Sequence, residues 1–208
     1  MHKRQAQDHY VGKSAEATAA MAALPPHQRI VEVAREMFCR DGIHATGIDR
    51  ILAAANASKM TLYSRFGSKD TLVREVLLQE GGEWRTAFFA AVTAGGTDAP
   101  SRLRAVVPAL AQWFGGGRFY GCAFMNAVAE HSKEENWLRE LAAAHHKEIL
   151  AFLGDLAAQA GYPDPPILAR QILLLMDGAI AAMMVSGDPA VLTIAERNLA
   201  AILSAAHT

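Results

Sequence analysis

The chain has 208 residues, of which 51% are hydrophobic, and it carries 20 Lys and Arg against 21 Asp and Glu. This length permits one large domain or a small domain followed by a medium one, and the apolar fraction is ample for a packed core. The net charge of −1 excludes a strongly basic chain, and two cysteines exclude a disulfide framework and favour a reducing, cytoplasmic setting.

The first segment, residues 1–24, shows no clear apolar stripe and carries Lys3, Arg4 and Lys13. It is either a mobile arm or a frayed tail, and the tail is favoured. The second segment, residues 25–70, begins with a predicted helix that Asp41-Gly42 ends. The apolar stripe of that helix consists of Ile30, Val33, Ala34, Met37 and Phe38.

Residues 44–70 predict two short helices and the start of a third. Thr46 is placed to cap the first short helix, with Asp49 as the acid of a capping box. One buried face of this helix follows from the spacing of Ile48, Ile51, Leu52 and Ala55.

The second short helix is predicted over Lys59 to Phe66, with Ser58 as its N-cap and Gly67 as the residue that ends it. Leu62 and Phe66 point the same way at about 100° per residue, so they form its buried side. Ser68 then caps a third helix, with Lys69 in its first turn. The outward and flanking set of the second helix is Lys59, Met60, Thr61, Tyr63, Ser64 and Arg65.

This pattern suits the major groove of DNA, because a helix fits the groove and helix N-termini hold phosphates. Lysine in a first turn is unfavourable for an isolated helix, so Lys59 and Lys69 indicate an anion at that place. Residues 1–70 carry ten Lys and Arg against seven Asp and Glu, whereas residues 71–208 carry ten against fourteen. The alternative is an ordinary helical hairpin with a solvated charged face.

The stretch ATGIDRILAAANASKMTLYSRFGSKDTLVREVL resembles the DNA-binding segment of the tetracycline-repressor (TetR) family of bacterial regulators. The resemblance implies a homodimeric transcriptional regulator of the repressor type. Such a regulator binds double-stranded DNA at a palindromic operator and is released by a small apolar or amphipathic effector. It implies no cofactor and no enzymatic activity. The DNA contacts that it implies are Thr46, Gly47, Ser58, Lys59, Met60, Thr61, Tyr63, Ser64, Arg65 and Lys69.

Some of these positions depart from common relatives, which often carry glycine in place of Met60 and histidine or tyrosine in place of Ser64-Arg65. We therefore expect this protein to read its own operator. Arg65 could contact guanine in a bidentate manner, and a phosphate contact is the alternative. The arm of residues 1–24 could also touch DNA.

Residues 71–208 form the predicted effector-binding and dimerisation domain, which gives an all-α fold of about nine helices. Helices are expected over 68–93, 101–114, 121–131, from a capping box at Ser132–Glu135 to about 160, over 166–186 and over 189–206. Gly81-Gly82 lies within the first of them and is either a point of bending or a site of close packing. The glycines at 115–117 match no nucleotide-binding motif.

The last two helices are the expected dimer surface. The segment 167–185 is apolar nearly all round, so one face needs a partner beyond its own subunit. The stretch 172–185 is too short to span a membrane and Asp177 interrupts it. In the resembled family such a pair of helices meets its twin in a four-helix bundle.

The middle of this domain is the candidate effector site, with apolar walls and a few polar groups. An ordinary core with polar edges is the alternative for each residue. A metal-binding or catalytic helical protein that uses Glu130, His145 and Asp177 is the competing class, although the spacing of these residues and of His131 and His146 matches no tight motif. The candidate effector contacts are Trp113, Phe119, Phe124, Met125, Asn126, Glu130, His145, Met176, Asp177 and Met183.

Overall fold

The computed structural model describes residues 15–117, 119–131 and 136–206, and its regular structure in these ranges is helical throughout. This confirms the all-α prediction. The described residues form the helices α1 (Ala15–Ala23), α2 (Pro26–Asp41), α3 (Ile48–Ala55), α4 (Lys59–Phe66), α5 (Lys69–Ala94), α6 (Ala99–Arg104), α7 (Val106–Phe114), α8 (Ala123–Glu130), α9 (Asn136–Gln159), α10 (Pro165–Ser186) and α11 (Ala190–Ala205).

The described residues contain more helices than the sequence predicts, and the difference arises at two places. α1 forms without an apolar stripe because its sequence is rich in alanine, the best helix former. Ala105 separates α6 from α7 and so divides the helix predicted over 101–114. Lys3, Arg4 and Lys13 of the arm and the capping box at Ser132–Glu135 lie outside the described residues.

The first hydrophobic cluster is built by α2, α3, α4 and the start of α5. It also takes in Phe124 and Ala127 from α8 and Leu138 and Leu141 from α9. Apolar packing therefore crosses the boundary that the sequence places after residue 70, and the division into domains stays a prediction.

The second hydrophobic cluster joins the end of α5 to α6, α7, α9, α10 and α11. α10 lies at its centre, packed against α9 and α11, with Ile172, Leu173 and Met176 buried. By length and composition alone α10 could cross a membrane. Its contacts on both sides are those of a core helix in a helical domain.

α5 runs through both clusters, with Val73 and Leu77 in the first and Phe88 in the second. At Gly81 a Cβ atom would lie 2.6 Å from the Phe124 ring, whereas at Gly82 no heavy atom lies within 4 Å of that position. Gly81 thus allows α8 to approach α5 closely, which favours close packing over bending at this residue.

Candidate DNA-reading surface and effector cavity

The outward face of α4 carries the side chains that the sequence places there. Leu62 and Phe66 are buried in the first cluster, whereas Met60 is 80% exposed and Tyr63 is 53% exposed. A short helix that is buried on one side and offers these groups on the other fits the major groove. The remaining outward positions are Ser58, Lys59, Ser64 and Arg65, which are exposed, and Thr61, which is half-buried.

The turn between α3 and α4 is held by an arginine that the sequence did not reveal. Asn56 adopts φ 47° and ψ 55°, a left-handed conformation that asparagine tolerates better than most residues. Arg29 donates from its guanidinium to the carbonyls of Ala55 and Asn56, each at 2.8 Å. These carbonyls end α3 and would otherwise lack partners. Arg29 thereby fixes α4 relative to α2.

Two of the predicted caps are confirmed. The Ser58 hydroxyl accepts the backbone N–H of Thr61 at 3.1 Å, at the start of α4. The Ser68 hydroxyl accepts the backbone N–H of Thr71 at 3.1 Å, at the start of α5. Each cap satisfies one of the donors that a helix N-terminus leaves free and leaves the other N–H groups open to an anion.

The predicted cap at Thr46 is wrong. Gly47 is the N-cap of α3 and no side chain bonds there, so the capping box with Asp49 does not form. Thr46 is fully buried and its hydroxyl donates to the Gly42 carbonyl at 2.7 Å. Its hydroxyl therefore braces the loop between α2 and α3 instead of facing a phosphate, because it satisfies a carbonyl at the end of α2.

The two first-turn lysines have partners within the protein. Lys59 lies 2.8 Å from the Asp49 carboxylate, but both side chains are exposed and such a pair contributes little stability. Lys69 donates to the Ile43 carbonyl at 2.6 Å, and burial lowers its pKa. Lys69 thus holds the α2–α3 loop against α5, which gives it a structural reason for its position that the sequence did not show.

Arg65 is the exposed cation at the end of α4. Its guanidinium lies 5.7 Å from the centre of the Phe66 ring, and it has no ion pair with any residue that the structure describes. Of the predicted cationic contacts it is the one most available to a phosphate or a base.

The predicted effector contact Glu130 lies elsewhere, at the junction between α8 and the α2–α3 loop. Its carboxylate accepts the backbone N–H of His44 at 3.0 Å. It also lies against Gly42, whose φ of 90° and close approach to Glu130 leave no room for a side chain. The His44 and His131 rings pack beside it with centroids 4.6 Å apart. Glu130 therefore links the end of α8 to the loop between α2 and α3.

An internal cavity of about 50 Å³ lies between α5, α7, α8, α9 and α10. It has room for a few water molecules in this conformation, since one water needs about 10–15 Å³. Five of the predicted effector contacts line it, namely Trp113, Phe124, His145, Met176 and Asp177. The sequence missed other residues of its wall, which include Cys39, Glu80, Trp84 and His146.

The other predicted effector contacts do not reach this cavity. Phe119, Asn126, Glu130 and Met183 line a wider outer cleft of about 750 Å³ between α2, α8 and the end of α10. Met125 lines neither space. On α8, Phe124 faces the cavity, whereas Met125, Asn126 and Glu130 lie on other sides of the helix, at about 100° per residue.

The cavity wall contains three polar groups with distinct environments. Burial, with Arg85 and His146 nearby, lowers the pKa of His145 to about 3, and its Nδ1 atom lies 2.7 Å from the Arg85 guanidinium. Burial raises the pKa of Asp177, whose carboxylate is 3.7 Å from His146. The indole N–H of Trp84 is buried and has no hydrogen-bond partner among the described residues.

The competing prediction of a metal site is not supported by this geometry. Across the described ranges, no three His, Cys, Asp or Glu side chains come together as a metal site would require. Glu130 is engaged by His44, and His145 is engaged by Arg85, so these groups have other partners.

The outer surface of α10 and α11 forms an apolar groove of about 580 Å³. Leu174 is 75% exposed and Ile194 is 57% exposed along it. Large exposed apolar faces of this kind are typical of surfaces that meet another protein.

Comparison with known proteins gives consistent matches. A family profile described as "Bacterial regulatory proteins, tetR family" matches residues 30–76. The HTH-type transcriptional regulator UidR of Escherichia coli (strain K12) is 36% identical over 58 residues, a stretch that covers 28% of this chain and 30% of that protein.

Two solved structures are similar over most of the chain. A TetR-family transcriptional regulator from Streptomyces coelicolor is 30% identical with a TM-score of 0.80, covering 88% of this chain and 96% of that one. A putative TetR transcriptional regulator from Streptomyces avermitilis is 28% identical with a TM-score of 0.75, covering 88% and 98%.

Proposed function

The chain belongs to the TetR family of bacterial transcriptional regulators, and we propose that it is a cytoplasmic repressor that binds a palindromic operator as a homodimer. In this proposal the repressor leaves the operator when a small effector occupies the internal cavity. The observation that carries the proposal is the outward face of α4. Caps at both of its ends and the buried Leu62 and Phe66 hold this face in place.

The proposed DNA contacts are the groups on α4 together with the backbone at the start of α3. Ser58, Lys59 and the free N–H groups beside them hold a phosphate, and Gly47 offers its exposed backbone to another. Thr46 and Lys69 act behind them as braces of the loop. The groups that face the groove are Met60, Thr61, Tyr63, Ser64 and Arg65.

Met60 gives this surface its own base preference. It is the second residue of α4 and the most exposed large apolar side chain on that helix. In the major groove, thymine differs from the other DNA bases by its 5-methyl group, which apolar side chains contact. We therefore assign Met60 to a thymine methyl group in each half of the operator.

Dimerisation through the α10–α11 groove would relate the two DNA-reading surfaces by two-fold symmetry. Leu174 and Ile194 of each subunit would be covered by the twin helices. A two-fold dimer presents two copies of α4 to one side of the duplex, about one helical turn or 34–36 Å apart. The operator is accordingly an inverted repeat.

The effector acts through α8 in this proposal. Phe124 on this helix forms part of the cavity wall, and Glu130 at the end of the same helix accepts the His44 N–H. An occupant that displaces Phe124 therefore also disturbs the loop that carries α3 and α4. Because linkage is reciprocal, DNA weakens effector binding by the same factor.

The direct test is binding to duplexes cut from the DNA that flanks the gene, measured over a range of salt concentrations. Arg65→Ala should weaken binding and reduce the slope of log K against log salt by about one phosphate contact. Lys147→Ala is the matched control, because it removes an exposed cation from α9. The proposal fails if the parent protein shows no salt-dependent affinity for duplex DNA.

A further inference from the structure

The internal cavity is adapted to an occupant and not filled as an ordinary core. Trp84 contributes a buried indole N–H that no acceptor in the described ranges meets, and a buried donor of this kind costs about 1–3 kcal/mol. Asp177 lines the same cavity and accepts no hydrogen bond from the part of the chain that the structure describes. Its distance of 3.7 Å from His146 is beyond normal hydrogen-bond range.

The walls of this cavity are largely aromatic. Trp84 meets Trp113 edge to face with ring centroids 5.3 Å apart, and Phe124 stacks on His145 at 4.1 Å. Tyr120 also lines it. Flat aromatic walls favour a flat aromatic occupant, and the negative faces of such rings also attract cations.

Carboxylates line the cavity, whereas the nearby arginines lie behind its wall. Its ionisable wall includes the carboxylates of Glu80 and Asp177, and no Lys or Arg of the described chain is among its lining residues. His145 is held neutral by its buried position. Arg85 donates to the His145 ring at 2.7 Å without lining the cavity, and Arg35 lies 3.7 Å from Glu80. Of the two carboxylates, Asp177 is the one that has no arginine partner among the described residues, and its ion-pair partner is His146 at 3.7 Å.

We propose that the effector of this protein is a compact aromatic cation, with its rings against Trp84, Trp113 and Phe124 and its positive charge at Asp177. This assignment rests on the proposed function and names the ligand class of that same site. A cation gains both from the carboxylate and from the ring faces, whereas an anion would meet the carboxylates of Glu80 and Asp177 and no Lys or Arg among the described lining residues. A two-ring ligand exceeds the present space, so it must displace part of the wall.

The test uses three probes of nearly equal shape and different charge, followed by calorimetry on the full chain. They are the cation 1-methylquinolinium, its neutral isostere 1-methylnaphthalene and the anion 1-naphthoate. We expect the cation to bind about tenfold more tightly than the neutral probe, and the anion to bind least. Equal affinities, tightest binding of 1-naphthoate, or no binding of any probe at millimolar concentration would each overturn the assignment.

A pair of variants locates the charge. Asp177→Asn should lower the affinity for 1-methylquinolinium about tenfold and leave that for 1-methylnaphthalene unchanged, because the amide preserves the shape of the side chain. Asp155→Asn is the control, since it removes an exposed carboxylate from α9. Loss of affinity for both probes in Asp177→Asn would contradict a charge-specific role.

Duplex binding is measured on the same samples, first without any probe and then with each probe present, so the two proposals can fail separately. If the protein binds duplex DNA but shows no preference for the cation, the assignment of the ligand fails and the proposal of a DNA-binding regulator stands. If the protein prefers the cation but the cation does not change the affinity for duplex DNA, the regulatory role of the cavity fails and the charge preference of the cavity stands.

Discussion

The close contact between α5 and α8 at Gly81 can be tested with a matched pair of substitutions. Gly81→Ala and Gly82→Ala place the same methyl group at adjacent positions of one helix. At position 81 the new Cβ would lie 2.6 Å from Phe124 and 3.1 Å from His145, whereas at position 82 it would meet no heavy atom within 4 Å.

The expected magnitudes follow from two opposing effects. Alanine is favoured over glycine in a helix by about 1 kcal/mol, and Gly82→Ala should gain that amount. Gly81→Ala gains the same amount but is overpacked, which costs about 1–3 kcal/mol. Phe124 cannot simply turn aside, because it is 4% exposed and stacks on His145 at 4.1 Å.

Thermal and urea unfolding of the two variants measure the difference directly. We expect Gly81→Ala to be about 1–3 kcal/mol less stable than Gly82→Ala, and the melting temperatures to differ by roughly 2–4 °C for each kcal/mol in a chain of this size. Adding Phe124→Leu should narrow the gap by making room for the methyl group. Equal stability of the two single variants would refute the reasoning.

Three further outcomes are expected. Burial lowers the pKa of His145 to about 3 in the folded state, below its unfolded value of about 6.5, so the unfolded state takes up the proton first as the pH falls. The free energy of unfolding should therefore fall by about 1.4 kcal/mol per pH unit below pH 6.5. Urea unfolding between pH 7 and 4 should show this loss, and His145→Gln should reduce it. Replacing operator thymine by deoxyuridine should weaken binding several-fold for the parent protein but not for Met60→Gly, and an equal loss in both would exclude the methyl contact. Leu174→Glu should give monomers in sedimentation, whereas Leu78→Glu, at an exposed apolar position outside the groove, should remain dimeric.

The recognition helix could be predicted from the sequence because its determinants are local. Ser58 and Gly67 mark its ends, and the spacing of Leu62 and Phe66 defines its buried face within one segment of eight residues. The structure reproduces the predicted bounds, since caps and helical periodicity act over three or four residues.

The errors concern side chains whose partners are distant in the sequence. Lys69 bonds to Ile43, 26 residues away, and Arg29 bonds to Asn56, 27 residues away. Thr46 is the local exception, because its hydroxyl donates to the Gly42 carbonyl at the end of α2 instead of capping α3. Spacing along the chain carries no information on contacts of this kind.

The internal cavity shows the same limit on a larger scale. Trp84 and Glu80 lie on α5, and they become wall residues only because α7, α8 and α10 converge on it. Conversely, Met183 has the right chemistry, but it lies where α10 faces the outer cleft. Which face of an apolar helix lines a cavity depends on its neighbours, and a helix that is apolar nearly all round gives no signal of its own.

α8 is the element through which the cavity and the DNA-reading surface can influence each other, and its end offers a test that needs no ligand. Glu130 accepts the His44 N–H at 3.0 Å, so this amide should exchange slowly with solvent. Glu130→Ala removes the acceptor and should speed hydrogen exchange at His44, whereas Glu130→Gln retains an acceptor oxygen and should preserve the protection. If both variants exchange as slowly as the parent, the link between α8 and the α2–α3 loop does not order that loop. If only Glu130→Ala loses protection, its duplex affinity then shows how much the order of the loop contributes to DNA binding.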